Sequence, residues 1–350
     1  MIRSAVAVLF LASVVAAGVV DARREGSAAP AALATTTTTG APTSTTAAAT
    51  TTTAVPTTPA PAPTTAAPAT TAPATVPPAA AGAAKVIVSP RGIVLPVTSR
   101  EGDAYRVITP CGRSAVATGT PVAEAAVVLD AGHGGKEPGA VGPGQLTEKE
   151  VNLAVVEYAR AALTKAGVSV VLTRTADYRI TLNSRAEIVK ALDPRAFVSV
   201  HHNAEPDGPR DGPGTETYYQ IASHESKRLS GLIYEEVVKA LSAYKIAWVA
   251  DTDAGAKYRR NVAGDDYYGI LRRTQGTPAS LAELGFISNP PEEELLRRPE
   301  FQQVEGEAVA RAVLRFLNTK DPGSGFVEPY PRESPAGSGG GTSNCVDPAL

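Results

Sequence analysis

Along residues 126–318, apolar and polar positions alternate between two rhythms. "AAVVLD", "VSVVLTR", "AFVSVHHN" and "ASLAELGF" are short apolar runs, and runs of that length predict buried strands. "GTETYYQ" alternates and predicts another strand. Between these runs the spacing becomes helical. In "TEKEVNLAVVEYARAALTKAG", Leu153, Val156, Ala159 and Leu163 share one face. Thr147 stands three before Glu150, the spacing of a capping box, and Gly167 supplies the stop. "TLNSRAEIVKAL", "SKRLSGLIYEEVVKALSAY" and residues 300–318 predict three more helices. Strands alternating with helices predict an α/β domain, a mixed and mostly parallel sheet flanked by helices.

The flanking segments read differently. Residues 85–125 hold β-prone runs, "KVIVS", "GIVLPVTS", "YRVITP" and "AVATGTPV", broken by Gly and Pro. About 40 residues are marginal for independent folding, so a small β-strand module packed on the following domain is expected. Residues 26–84 are almost wholly Ala, Thr and Pro and carry no charge. They offer little to bury against the entropy of ordering and read as a disordered spacer. Residues 1–25 open with Arg3 and continue as an apolar run from Ala5 to Val20, the pattern of a signal peptide or a signal anchor. A membrane tether follows only if that segment stays uncleaved. Residues 319–350 are rich in Gly, Pro and Ser and predict a flexible C-terminal tail.

Composition narrows the function. Lys and Arg total 33 against 35 Asp and Glu, a net charge of -2, which argues against a nucleic-acid partner. Two cysteines are too few for a cysteine-rich metal cluster. In an exported chain an even count points to one bridge, Cys111 to Cys345, with two unpaired or intermolecular thiols as the alternative. Nothing in the sequence calls for more than a monomer.

The chemistry gathers at strand ends, where open α/β sheets place their sites. The chain has four histidines, and three stand there: His133 in "DAGHGG", and His201 and His202 before Asn203. Glu283 lies in the apolar "PASLAELGFIS", where a carboxylate is costly to bury unless it is paired or linked to a metal. Glu150 fits the capping role, which leaves Glu148 as a ligand candidate. Two His and one Glu form the donor set of a catalytic zinc with an open position. Each residue also has a plainer reading. A lone strand-end His is more often a loop residue, and an acid in the first turn of a helix is favoured by the dipole. His202, adjacent to His201, faces the other side of its strand and reads as a wall or supporting residue. His224 opens a polar helix and reads as exposed. "AGHGGKEPG" lacks the glycine spacing of a dinucleotide loop and the Gly-Lys-Ser/Thr of a phosphate loop. No G-x-S-x-G elbow is present.

In order, "VVLDAGHGG", "GQLTEKEVNLAV", "VVLTR", "FVSVHHNA", "GTETYY" and "PASLAELGFISNPPEE" resemble the zinc-dependent N-acetylmuramoyl-L-alanine amidases of the Amidase_3 family over about residues 126–318. The layout resembles that of exported actinobacterial cell-wall enzymes. The resemblance implies Zn2+ held by His133, Glu148 and His201, and Glu283 as the catalytic carboxylate. It implies peptidoglycan as substrate, cut between the lactyl group of N-acetylmuramic acid and L-alanine, outside the cytoplasm. Two departures stand out: Ala131 replaces a usual Pro, and His202 a usual small residue. Some family members carry a long helix over the zinc site. The interval from His201 to Glu283 leaves no room for one, so strong self-inhibition is not expected. The rival readings are a silent wall-binding protein and a zinc peptidase or deacetylase acting on another bond.

Overall fold

The structure, a computed structural model, describes residues 84–330 and 344–350. The export segment expected at 1–25 and, apart from Ala84, the spacer at 26–84 lie outside the described residues. The chain first builds β1 (Val86–Val88), β2 (Val94–Glu101), β3 (Ala104–Ile108), β4 (Ser114–Ala117) and β5 (Thr120–Val122). These form an antiparallel sheet in the order β4-β3-β2-β1-β5.

The expected alternation follows. It runs β6 (Val127–Ala131), α1 (Glu148–Lys165), β7 (Val170–Leu172), α2 (Leu182–Leu192) and β8 (Ala196–Asn203). Next come β9 (Gly208–Arg210), β10 (Glu216–Tyr219), α3 (His224–Leu241), β11 (Trp248–Ala250) and β12 (Ala256–Lys257). The chain continues with α4 (Gly269–Arg273), β13 (Ala279–Phe286), α5 (Pro290–Leu296) and α6 (Pro299–Asn318). The main sheet has the order β12-β10-β13-β8-β6-β7. Only the β10–β13 pair is antiparallel.

All five residues of β6 are buried, because both faces of the sheet are covered. On one face, Val151 and Val155 of α1, Leu229 and Ile233 of α3, and Val309 and Val313 of α6 form a single core with the strands. On the other, Ile87, Leu95 and Val122 of the antiparallel sheet join Ile188 of α2 with Val128 and Phe197 of the main sheet. The N-terminal sheet therefore shares its core with the α/β unit.

The tail differs from the sequence expectation. Residues 320–330 are ordered against the domain: Ala256 N–H donates to Gly325 O at 2.8 Å, and Val327 N–H to Ala256 O at 3.1 Å. The glycines that read as looseness permit close packing. At Gly323 (φ 72°) a Cβ would stand 2.9 Å from the Leu232 nitrogen of α3. Residues 344–350 are held by the Cys111–Cys345 disulfide, and Asp347 accepts from the Cys111 backbone N–H at 2.8 Å. Residues 331–343 lie outside the described residues.

Candidate active site

β6 and β8 run parallel and end together, with Gly132 N–H donating to Val200 O at 3.0 Å. The loop after β6 therefore turns directly beside His201. His133 adopts φ 61°, a conformation costly for a residue with a Cβ. Two buried arginines hold that turn in place. Arg174 donates to the carbonyls of Ala131 and Gly132, both at 3.0 Å, and of Lys149 at 2.7 Å. Arg185 donates to the carbonyls of Ala131 and His133, both at 2.6 Å, and pairs with Asp130. Burial opposes the charge of Asp130, but Arg185, Ser199 and Thr173 hold its carboxyl below the usual range.

Glu148 enters from the start of α1. The cap forms as the spacing predicts: the Thr147 hydroxyl donates to Glu150 at 2.6 Å, which leaves Glu148 facing inward and buried. Glu148 Oε1 lies 2.9 Å from His201 Nδ1 and accepts from the His202 backbone N–H at 3.2 Å. Its Oε2 lies 3.2 Å from His133 Nε2 and accepts from Ala140 N–H at 2.8 Å. Burial would raise this carboxyl, yet the bonds to His133 and His201 hold it well below its ordinary value. Burial keeps the His201 imidazole below its usual value, which favours the neutral form a metal needs. One donor atom from each of His133, Glu148 and His201 lies within 4.8 Å of the others.

Glu283 stands beside them. It pairs in register with His201 on one side and Glu216 on the other. Its Oε2 is buried with no hydrogen-bond partner among the described residues. Burial pushes its carboxyl well above the usual range, and the charges of Glu148, Glu216 and Asp251 push the same way. A cavity of about 250 Å³ is lined by His133, His201, Ile180, Leu281, Tyr267 and Tyr268. A second acidic group, Glu216, Asp251 and Asp253, already holds an internal cation: Lys257 Nζ lies 2.5 Å from both Glu216 and Asp253.

Of the two readings the sequence allowed, wall or support, the structure shows His202 as the support. It is buried, with Nδ1 2.8 Å from Asn152 Oδ1 and Nε2 3.3 Å from Glu305 Oε2. Asn152 in turn donates to Glu148 Oε1 at 3.1 Å, so a buried chain from α6 reaches the candidate ligand. His224 is exposed at the start of α3, as expected. Sequence reasoning missed Asn152, Glu305, Asp130, Arg174 and Arg185. Arg185 left a signal, because it sits in register with Ile188 and Leu192 on the buried face of α2.

Two imidazoles and a carboxylate at the carboxyl edge of a sheet, beside a buried acid, have the composition of a metal-dependent hydrolase centre. The chain belongs to the Amidase_3 family, described as N-acetylmuramoyl-L-alanine amidase, whose pattern matches residues 127–315. It is 34% identical over 208 residues to the uncharacterized protein YqiI of Bacillus subtilis, covering 59% of this chain and 89% of the relative. It is 28% identical to the germination-specific N-acetylmuramoyl-L-alanine amidase of the same organism, covering 57% of this chain and 83% of that one. Among solved structures, the catalytic domain of CwlV, an N-acetylmuramoyl-L-alanine amidase from Bacillus (Paenibacillus) polymyxa var. colistinus, is 31% identical. That match covers 55% of this chain and 98% of CwlV, with a TM-score of 0.46. The chain is an N-acetylmuramoyl-L-alanine amidase, a hydrolase of peptidoglycan. Amidases of the cell wall act outside the cytoplasm, and the Cys111–Cys345 bridge agrees with an oxidising compartment.

Proposed function

We propose that His133, Glu148 and His201 hold a zinc ion and that Glu283 moves the proton in hydrolysis of the amide between the lactyl group and L-alanine. The donor set fits zinc, with three N and O ligands leaving a position open. When bound, zinc supplies Lewis acidity that polarises the amide carbonyl and makes a water easier to deprotonate. Glu283 takes a proton from the attacking water and returns it to the departing alanine nitrogen. A carboxyl raised by burial suits both halves of that exchange. Arg174 and Arg185 fix the loop that carries His133, and Asn152 fixes Glu148. Residues 1–25 are proposed to export the chain, and residues 26–84 to space the enzyme from its point of attachment or release.

The observation that carries this reading is the buried Glu283 oxygen, without a hydrogen-bond partner among the described residues, beside three donors that converge within 4.8 Å. A wall-binding protein has no use for a buried acid without a partner. The test is mass spectrometry of muropeptides digested with the zinc-loaded protein, the chelated protein and Glu283→Gln. Zinc-dependent release of a free lactyl carboxylate and a free alanine amine is expected. Cleavage within the stem peptide, or equal digestion after chelation, would refute it.

A further inference from the structure

Between β12 and α4 the chain makes a tight excursion over residues 258–268. It is closed by Tyr267 N–H donating to Arg259 O at 2.7 Å and Asn261 N–H to Asp265 O at 2.9 Å. The Asn261 side chain accepts from Ala263 and Asp265 N–H at 2.9 and 3.0 Å and stiffens the turn. Asp266 is engaged elsewhere, by Ile221 N–H at 2.8 Å and by the Gln275 amide. The excursion is thus a built structure, and it carries one guanidinium with no hydrogen-bond or ion-pair partner among the described residues.

That cation is Arg259. Its guanidinium carbon lies 4.0 Å from the centre of the Tyr267 ring, so it is held flat against an aromatic face. Its Nε is buried and has no hydrogen-bond partner among the described residues. Among the described residues no carboxylate forms an ion pair with it. Leaving a buried donor nitrogen unmatched is costly, and such an atom in a native protein calls for an acceptor. The location supplies one. Tyr267 and the adjacent Tyr268 both line the cavity beside His133 and His201. The stacking contact of Arg259 with Tyr267 sets the guanidinium directly against one wall residue of that cavity.

We propose that Arg259 is a specificity-determining residue that binds a stem-peptide carboxylate, the free α-carboxylate of the acidic residue that follows L-alanine. This rests on the amidase reading above. A guanidinium with no counter-ion among the described residues, stacked so that its fork is fixed, selects planar anions over neutral acceptors. The glycan offers hydroxyls and acetamido groups, and the lactyl carboxyl is tied up in the scissile amide. The anions left in the substrate are stem carboxylates, and the one nearest the cut lies on the residue after alanine.

The test uses two synthetic muropeptides that differ only in that group, a free carboxylate in one and a carboxamide in the other. The zinc-loaded full chain and its Arg259→Gln and Arg259→Lys variants are assayed on both, with thermal melts as a check on folding. The wild type should favour the acid. Arg259→Gln should lose roughly 10- to 100-fold in kcat/KM on the acid, mostly through KM, and little on the amide. Arg259→Lys should recover part of the loss. An acid-to-amide ratio unchanged in folded Arg259→Gln, or equal losses on both substrates, overturns the proposal. A wild type that cleaves neither while binding zinc overturns the amidase reading, and this inference falls with it.

Discussion

Gly132→Ala isolates the position of one imidazole from everything else in the fold. Gly132 needs no left-handed backbone, so the added methyl brings no dihedral strain of its own. That methyl would stand 2.3 Å from His201 Cε1, 2.5 Å from Nε2 and 2.6 Å from Nδ1, against ordinary contacts of 3.4–4 Å. The ring must retreat by about 1 Å, whereas a metal site tolerates roughly 0.2 Å in its ligand distances. The retreat also loosens the 2.9 Å contact from Nδ1 to Glu148. Changes that only reorient a ligand cost about 10- to 100-fold in affinity, so displacing one outright should cost at least about 100-fold in zinc affinity. Overpacking of this size destabilises by about 1–3 kcal/mol, so the apo protein should still fold. Competition against a chromogenic chelator, with melts of the apo forms, measures both effects. Gly208→Ala is the control, because a Cβ there meets nothing within 4 Å. If Gly132→Ala kept wild-type zinc affinity and turnover, His201 would not be a ligand as argued here.

Glu283→Gln should keep zinc and fold yet lose roughly 10²- to 10⁴-fold in kcat. Burial and the nearby charges raise Glu283, so its proton-accepting form is lost at a higher pH than for an ordinary Glu, near 4.3. The acidic limb of kcat/KM should therefore lie above that value, and a limb at or below it would contradict the assignment. Asp130→Asn leaves Arg185 buried without its charge partner and should cost about 3–5 kcal/mol in chemical denaturation. Because the folded Asp130 carboxyl is depressed, its contribution is complete above about pH 4 and fades as acid titrates through the lowered value. A wild-type stability that fell no faster below pH 4 than that of Asp130→Asn would count against the pairing. Cys345→Ser opens a loop whose ends are 234 residues apart and should lower stability by up to about 5 kcal/mol. The wild type under reductant should match it in a thermal melt.

The regular elements were legible because each repeats a local pattern. β6, β8 and β13 are continuous apolar runs buried on both faces, and α1 announces itself through Thr147 and Glu150. The two-residue β12 and the three-residue β9 and β11 carry no such repeat, and pairing across the chain alone defines them. The four candidate residues could be singled out by type and place, His133, His201 and Glu283 on or just after strands and Glu148 at the start of α1. Their supports could not. Glu305 looks like any polar helix residue until α6 packs on α1 and brings it against His202. His202 read as either a wall or a supporting residue because strand alternation gives its side, not what covers that side. The tail read as loose because Gly323 and Gly325 mark flexibility in sequence and close approach in three dimensions.

The N-terminal sheet and residues 344–350 meet the loop that carries His133 through one helix. Ser184 Oγ, in the first turn of α2, donates to Thr109 O at 3.1 Å, and Thr181 N–H donates to Pro110 O at 2.9 Å. Cys111 is the next residue, and its bridge to Cys345 pins this turn from outside. Arg113 reinforces the strap through Asp347 at 2.6 Å and the Cys345 carbonyl at 3.0 Å. One residue beyond Ser184, Arg185 reaches the His133 carbonyl. The path from disulfide to candidate ligand is thus a few bonds long and passes through buried groups with fixed geometry. His133 sits at positive φ and gains nothing from its own backbone, so the surrounding bonds must hold it there. A sheet of marginal size, sharing its core with the α/β unit, is therefore placed where it stiffens the start of α2. Opening the strap should loosen the His133 loop before it disturbs Glu283, which lies on β13 and has no contact with residues 109–113 among the hydrogen bonds described.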